Sequence, residues 1–264
     1  MIHVAAFSGG KDSTALLLHL REQGVPYRAV FCDTGWEHPL TYAYVEEINQ
    51  QLLQGALITL RSTEYDGMRG LVTRKGRIPS ATVRFCTQEL KVLPMQEWVR
   101  QLDDEATIYL GIRGEESPAR ANAAKREWSD DYEAWVERPL LDWTAQEVFA
   151  YLDRYDIAAN PLYRMGAGRV GCFPCIQVNL TELKRMDTQL PGLWDRVADL
   201  ESRAGRSFFT PKFIPARYHT GHDPKSGRSF PTARDVQRYV QETNLDLFPV
   251  QPSGSCLSIY NLCE

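Results

Sequence analysis

Short apolar runs alternate with helical patterns along the first part of the chain. Residues 2–7 form an apolar run that predicts a buried strand, and a Gly-containing turn follows it. In residues 14–23 the leucines recur at helical spacing, and Gly24 and Pro26 then end the predicted helix.

The same alternation continues along the chain. Residues 27–32 and 56–60 predict two more strands, with a helix over residues 40–53 between them, and residues 106–112 predict a further buried strand. This order predicts an α/β fold, a doubly wound parallel sheet of five or six strands. Right-handed crossovers would place a ligand at the carboxyl ends of the strands.

The remaining segments carry weaker patterns. We expect helices over residues 87–101 and 144–153, the second with Thr144 or Asp142 as its N-cap. Residues 113–135 are polar and predict an irregular or helical segment, a candidate lid. Strands become scarce after the cysteine-containing loop at residues 171–175. The sequence therefore predicts an α/β domain over residues 1–176 and a helical, loop-rich C-terminal region over residues 177–264.

Composition and charge narrow the class of protein. The 264 residues are 43% hydrophobic and 24% charged, as in ordinary globular proteins. A net charge of −4 argues against a protein whose whole surface binds nucleic acid. Residues 69–84 nevertheless carry five basic and no acidic residues, and residues 203–228 carry six basic residues and one Asp. Each run is either a solvated loop or a site for an anionic substrate, and both interpretations stay open.

The chain lacks the sequence signals of membrane proteins and secreted proteins. No apolar run reaches membrane-spanning length, and no signal peptide precedes the first strand. We therefore expect a cytoplasmic protein without a membrane partner. In that compartment six cysteines are better explained by metal or redox chemistry than by disulfides.

The turn after the first strand has the composition of a phosphate-binding loop. It reads Ser8-Gly9-Gly10-Lys11-Asp12-Ser13. Its glycines allow backbone N–H groups to approach phosphate oxygens, and the following helix adds partial positive charge. Lys11 supplies a full charge, and Asp12 can hold Mg²⁺. The G-x-x-x-x-G-K spacing of a Walker A loop is absent.

This turn resembles the SGGxDS loop, or PP-loop, of the N-type ATP pyrophosphatases, which cleave ATP between its α and β phosphates. Five later segments resemble the phosphoadenosine phosphosulfate (PAPS) reductase family of that superfamily and follow in the family's order. They are residues 31–37 (FCDTGWE), 111–120 (GIRGEESPAR), 139–144 (PLLDWT), 160–163 (NPLY) and 171–175 (GCFPC). The resemblance covers about residues 2–176 and implies an adenine nucleotide alpha hydrolase-like fold.

The resemblance also implies a substrate and site residues. The substrate would be an adenine nucleotide, either ATP with Mg²⁺ or a sulfonucleotide. The implied nucleotide-binding residues are Ser8, Gly9, Gly10, Lys11, Asp12, Ser13, Asp33, Thr34, Gly111 and Arg113. The implied catalytic residues are Lys11, Asp12, Arg113 and Arg120. An arginine fork is well shaped for phosphate or sulfate.

The cysteines suggest a metal centre. The family's adenosine phosphosulfate (APS) reductases bind a [4Fe–4S] cluster with a Cys-Cys pair and a C-x-x-C, and this chain keeps one cysteine of the pair. The resemblance implies as ligands Cys86, Cys172, Cys175 and Cys263, with Cys256 as the alternative fourth ligand or one iron left open. Structural zinc remains an alternative, because spacing alone does not choose the metal. Cys32 lies inside a predicted strand and is interpreted as a core residue.

Three functions are compatible with these motifs and cysteines. The intact Lys11 and Asp12 favour cleavage of ATP to AMP and pyrophosphate in support of sulfur transfer at the cluster, with a nucleic acid or a sulfur-donor protein as partner. The ATP-cleaving protein of DNA phosphorothioation systems is similar in its PP-loop and cysteines. The second function is a thioredoxin-dependent APS or PAPS reductase that releases sulfite, with Cys256 or Cys263 as nucleophile. The third is a non-catalytic nucleotide-binding iron–sulfur module.

Overall fold

A six-stranded sheet lies at the centre of residues 1–243, the part of the chain that the computed structural model describes. Its strands are β1 (Ile2–Ala6), β2 (Tyr27–Cys32), β3 (Ile58–Leu60), β4 (Ala106–Tyr109), β5 (Arg126–Ser129) and β6 (Ala134–Glu137). Their order across the sheet is β3-β2-β1-β4-β6-β5. All neighbours are parallel except β5 and β6. The strand order reverses between β1 and β4, the kind of switch point at which open α/β sheets bind ligands.

Helices cover both faces of this sheet, which confirms the doubly wound fold. One face packs against α1 (Lys11–Glu22), α2 (Pro39–Leu53) and α7 (Ala145–Arg154). The other face packs against α5 (Leu93–Val99). Because β1 is covered on both sides, Val4 and Ala5 are fully buried, and this explains why the strand reads as a continuous apolar run. Thr144 caps α7 in a capping box with Glu147, as one of the two predicted N-caps.

The prediction of an irregular or helical segment over residues 113–135 is wrong in part, and a role as a lid stays a prediction. Residues 113–135 contain a 3₁₀ turn (Gly114–Glu116), the short helix α6 (Pro118–Ala121), all of β5 and the start of β6. Strand β5 is exposed along most of its length, because it is the edge strand and has a neighbour on one side only. It therefore needs no apolar pattern, and its polar sequence does not indicate a strand.

The helix predicted over residues 87–101 is interrupted. It consists of α4 (Phe85–Thr87), a π-helical turn (Gln88–Val92) and α5. Helix α3 (Gly67–Lys75) precedes it.

The C-terminal region is helical and loop-rich as far as residue 243. It contains α8 (Leu180–Gln189), α9 (Leu193–Ala204) and α10 (Ala233–Glu242), with a short hairpin of β7 (Gly221–His222) and β8 (Ser229–Phe230). These helices share one hydrophobic core with α3 and with Trp36, which follows β2. The domain boundary at residue 176 stays a prediction. Between residues 1 and 243, no helix combines the length and the apolar character needed to cross a membrane.

Candidate functional site

The PP-loop connects β1 to α1 in a tight backbone conformation. Gly9 has a φ of 79°, and a Cβ there would lie 2.9 Å from Cγ2 of Val45, so glycine is required on both counts. Two residues that follow α7 brace the loop. Asn160 Nδ2 donates to the Gly9 carbonyl (3.0 Å), and the Lys11 backbone N–H donates to the Tyr163 hydroxyl (3.1 Å). The loop is therefore held from its own strand and from the segment after α7.

Three charged side chains meet at the start of α1. Lys11 Nζ lies 2.5 Å from one carboxylate oxygen of Asp12, and Arg113 Nε lies 2.6 Å from the other. All three residues are buried, with 6%, 1% and 4% of their surface exposed for Lys11, Asp12 and Arg113. The Lys11 ammonium also lies over the ring of Tyr163, 5.3 Å from its centroid. Asp12 thus offsets part of the positive charge of the two cations that a phosphate group would otherwise meet, and Glu115 is a second ion-pair partner of Arg113.

Arg120 brings donors that have no partner within the described chain. Its guanidinium is buried and ion-paired to Glu116 through one nitrogen. Its Nε and second Nη have no hydrogen-bond partner in residues 1–243. Burial raises the pKa of Glu116, but Arg120 and the backbone N–H of Arg113 outweigh it and hold that pKa below its usual range. Glu116 therefore fixes the arginine, and two buried donors are left for an anion.

Gly111, at the end of β4, touches the PP-loop backbone. A Cβ on Gly111 would lie 2.8 Å from the Asp12 carbonyl oxygen, so the loop would have to move. We expect Gly111→Ala to weaken ATP binding by about tenfold or more, measured by calorimetry, because the charged contacts of the loop would be displaced. Gly168→Ala is the matched control, since its Cβ would make an ordinary contact of 3.7 Å. Equal ATP affinity in the two variants would contradict this role of Gly111.

The segment after β2 carries two further candidates, Asp33 and Thr34, which line other cavities than Ser8 and Ser13 do. Asp33 is bonded by the Tyr42 hydroxyl (2.7 Å) and by Arg61 (2.6 Å). Burial raises the pKa of Asp33, but these bonds and the Gly35 N–H outweigh it and lower that pKa overall. The Thr34 hydroxyl donates to the buried carboxylate of Glu37 at 2.5 Å.

A cavity opens where the strand order reverses. It is lined by Ser8 and Ser13 of the PP-loop, by the ends of β1, β2 and β4, and by Lys91 and Glu37. Gly111 also lies on its wall. Of the predicted site residues, the structure therefore brings Ser8, Ser13 and Gly111 to one space at the carboxyl ends of the strands, whereas Lys11, Asp12 and Arg113 do not line it.

A second cavity contains the cysteines. Cys86, Cys172 and Cys175 line it together with Thr34 and Lys91. Burial raises the pKa of Cys86 to about 12, with further contributions from Cys172 and Cys175. Burial also raises the pKa of Cys172, to about 11, although Lys91 lowers it. Lys91 lines both cavities, so the cysteine cavity adjoins the cavity at the ends of β1, β2 and β4, the candidate nucleotide cavity.

Comparisons with known proteins assign most of the chain to one family. Residues 2–178 match the model of the phosphoadenosine phosphosulfate reductase domain. The chain belongs to the PAPS reductase family. An uncharacterised 37.8 kDa protein of Escherichia phage 186 is 31% identical over 90% of this chain and 85% of its own length. The APS reductase of Allochromatium vinosum is 28% identical over 65% of this chain and 67% of its own length.

The family's fold is also shared with a solved structure. The phosphate complex of the PAPS reductase from Candida auris superposes with a TM-score of 0.54 at 19% identity, over 66% of this chain and 83% of that one. This confirms the fold expected from the resemblance.

The positions of the cysteines agree only in part with the iron–sulfur cluster that the family resemblance implies. Three thiols on one cavity are the soft donors that an iron–sulfur cluster takes, and Lys91 lies on the same cavity. These thiols do not form a preorganised metal site. Within residues 1–243, no group of three or more His, Cys, Asp or Glu side chains is arranged to hold a metal ion. Cys256 and Cys263 lie outside the described residues.

The C-x-x-C loop is attached to the segment after β2. Glu37 and Cys172 form an isolated antiparallel bridge, and the Phe173 N–H donates to the Trp36 carbonyl (2.8 Å). The Trp36 indole N–H donates to the Pro174 carbonyl (3.1 Å). In this PAPS reductase family member the C-x-x-C loop is thus held to the segment that follows β2.

Sequence reasoning missed Glu37 and Lys91. Glu37 accepts bonds from Thr34, Trp36 and Tyr42, and its sequence signal is its place at the end of the family-like segment over residues 31–37. Lys91 is five residues after Cys86, and in a regular α-helix two residues at this spacing lie on different faces. The π-helical turn between them changes that relation, and π turns often occur at functional sites.

Proposed function

We propose that this PAPS reductase-family protein cleaves ATP to AMP and pyrophosphate with Mg²⁺ and uses the released energy for sulfur transfer at a [4Fe–4S] cluster. The observation that carries the proposal is the pairing of Asp12 with both Lys11 and Arg113. A reductase that releases no pyrophosphate has no need of a carboxylate and a lysine at this point of the loop. An ATP-cleaving enzyme needs both, one for the metal and one for the leaving group.

The pairing suggests how ATP would bind. Incoming phosphate oxygens compete with the Asp12 carboxylate for Lys11 and Arg113, and the triphosphate carries more negative charge than one carboxylate. Asp12 is then released from its two partners and becomes available to the Mg²⁺ that accompanies ATP. The loop therefore holds its cations in place for phosphate and exposes its metal ligand only when nucleotide is bound.

The chemical step follows from these charges. An oxygen of the acceptor attacks the α-phosphorus, the bond from that phosphorus to the bridging oxygen breaks, and pyrophosphate leaves. Lys11 and Arg113 stabilise the charge that develops on the leaving group, and the two open donors of Arg120 add to this. A sulfur nucleophile then displaces AMP from the adenylated acceptor. The acceptor is a nucleic acid or another molecule, and a sulfur-donor protein would supply the sulfur.

The cluster would be held by Cys86, Cys172 and Cys175, with Cys263 as fourth ligand, or Cys256 in its place. When bound, it would supply an iron site at which sulfur is held. Lys91 would stabilise the anionic cluster from the side of the nucleotide cavity. We further propose that the protein acts in the cytoplasm.

The similarity to APS reductases favours a second candidate. In it a thiolate of Cys256 or Cys263 attacks the sulfur of APS or PAPS, AMP or its 3′-phosphate form leaves, and a thiol-bound sulfonate remains. The two thiols of thioredoxin then reduce this adduct, releasing sulfite and becoming a disulfide. A third candidate is a nucleotide-binding iron–sulfur module without turnover.

One experiment separates the three. The protein is purified without oxygen and incubated with ATP and Mg²⁺, and in parallel with APS or PAPS and reduced thioredoxin. Pyrophosphate release from ATP is the expected result. Sulfite release without pyrophosphate would make the chain a reductase. Nucleotide binding with neither product would leave the non-catalytic module.

A further inference from the structure

Two arginines from different parts of the chain lie over one buried tryptophan. The guanidinium carbon of Arg196, on α9, is 4.1 Å from the ring centroid of Trp36. The guanidinium carbon of Arg69, on α3, is 6.0 Å from the same centroid. Trp36 is fully buried and belongs to the segment after β2. Two positive charges therefore lie close to Trp36, where the segment after β2 packs against the C-terminal helices.

Acidic groups offset this charge only in part. Asp199 is 3.0 Å from Arg69 and also 3.0 Å from Arg203, so it is shared between two cations. The carboxylate of Glu37 accepts from Thr34, Trp36 and Tyr42, and the hydrogen bond of Arg196 to Glu37 goes to the backbone carbonyl (3.1 Å). Burial and the nearby Arg69 lower the pKa of Arg196, which reports the crowding of positive charge.

Arg196 also carries a donor without a partner. Its Nε is buried and has no hydrogen-bond partner in residues 1–243. A buried donor left unpaired is costly, and a bound oxyanion would satisfy it. Arg69 is half exposed, with 51% of its side chain accessible to solvent, so an ion can approach from solvent.

We propose that Arg69 and Arg196 form a second oxyanion site, for a phosphate or sulfate group, separate from the PP-loop. Arg196 bonds to the carbonyl of Glu37, which bridges to Cys172, so the site adjoins the cysteine cavity. The ligand is either a phosphodiester of a nucleic-acid acceptor or a free phosphate or sulfate ion. Only the first of these sources rests on the proposed function.

The test counts sulfate ions and measures their affinity by calorimetry. The wild-type protein should bind two sulfates and Lys11→Ala one, because that variant loses the PP-loop site. Adding Arg196→Gln should weaken the remaining site by about tenfold or more, while adding Asp199→Asn should tighten it by freeing Arg69. Arg21→Gln, an exposed arginine on α1, is the control. Thermal melting of each variant checks that it is folded.

Two results would overturn the proposal: a Lys11→Ala protein that binds no sulfate, or equal sulfate affinity with and without Arg196. A short single-stranded oligonucleotide then distinguishes the sources. Weaker oligonucleotide binding and a shallower salt dependence in Arg196→Gln would assign the site to a nucleic-acid phosphate. An unchanged oligonucleotide affinity beside lost sulfate binding would assign it to the free ion. None of these measurements needs turnover, so a chain that releases no pyrophosphate still tests this site.

Discussion

Replacing Lys11 by alanine is expected to lower pyrophosphate release from ATP by about 100-fold or more, the size of effect seen when a charge that stabilises a transition state is removed. Lys11 is the ammonium nearest to the phosphate position, 2.5 Å from the carboxylate that phosphate would displace. Without it, Arg113 alone would face the leaving group in this part of the loop. The measurement is the initial rate of pyrophosphate formation with Mg²⁺ present.

The fold should survive this substitution. Asp12 keeps its ion pair with Arg113, so no buried carboxylate is left unpaired. Lys212→Ala, an exposed lysine of the C-terminal region, serves as the control and should keep the wild-type rate. Rates equal to wild type in Lys11→Ala would show that the loop does not act on phosphates.

The PP-loop could be predicted from sequence because it is contiguous. A strand, a glycine turn and a helix follow each other in residues 2–23, and the six residues of the loop, 8–13, are neighbours in sequence. Arg113 lies 101 residues from Asp12, and only the family resemblance brought it to the site. Asn160 and Tyr163 were part of a motif, but their bracing of the loop depends on how the segment after α7 packs.

The features that could not be predicted from the sequence are those that depend on contacts between segments distant in sequence. Strand β5 is polar because it is an edge strand, so neither its strand type nor its pairing with β6 could be read from periodicity. Glu37 and Lys91 gained their positions from a backbone bridge and from a π-helical turn. Arg69 and Arg196 belong to separate helices, far apart in sequence, that pack together beside Trp36. A pattern along one segment carries no information on such meetings.

The Cys172→Ser protein is expected to lose most of its iron and sulfide after anaerobic purification. Cys172 is one of three thiols on the cavity, and a serine hydroxyl is a poor ligand for iron in place of a soft thiolate. Iron, zinc and acid-labile sulfide are measured per chain, with the absorbance of the brown protein. Zinc in wild-type protein without iron or sulfide would keep the thiol site and replace the cluster by structural zinc.

Cys32 offers a matched control within the same chain. It is a free cysteine at the end of β2, its thiol donates to the Lys91 carbonyl at 3.6 Å, and it does not line the cavity of the other three. Cys32→Ser should therefore keep the full iron and sulfide content, since its hydroxyl can donate to the same carbonyl. Full content in Cys172→Ser would contradict the cluster, whereas loss in both variants would point to a general effect of thiol removal. Loss in Cys172→Ser alone would tie the cluster to the cavity that Lys91 shares with the nucleotide.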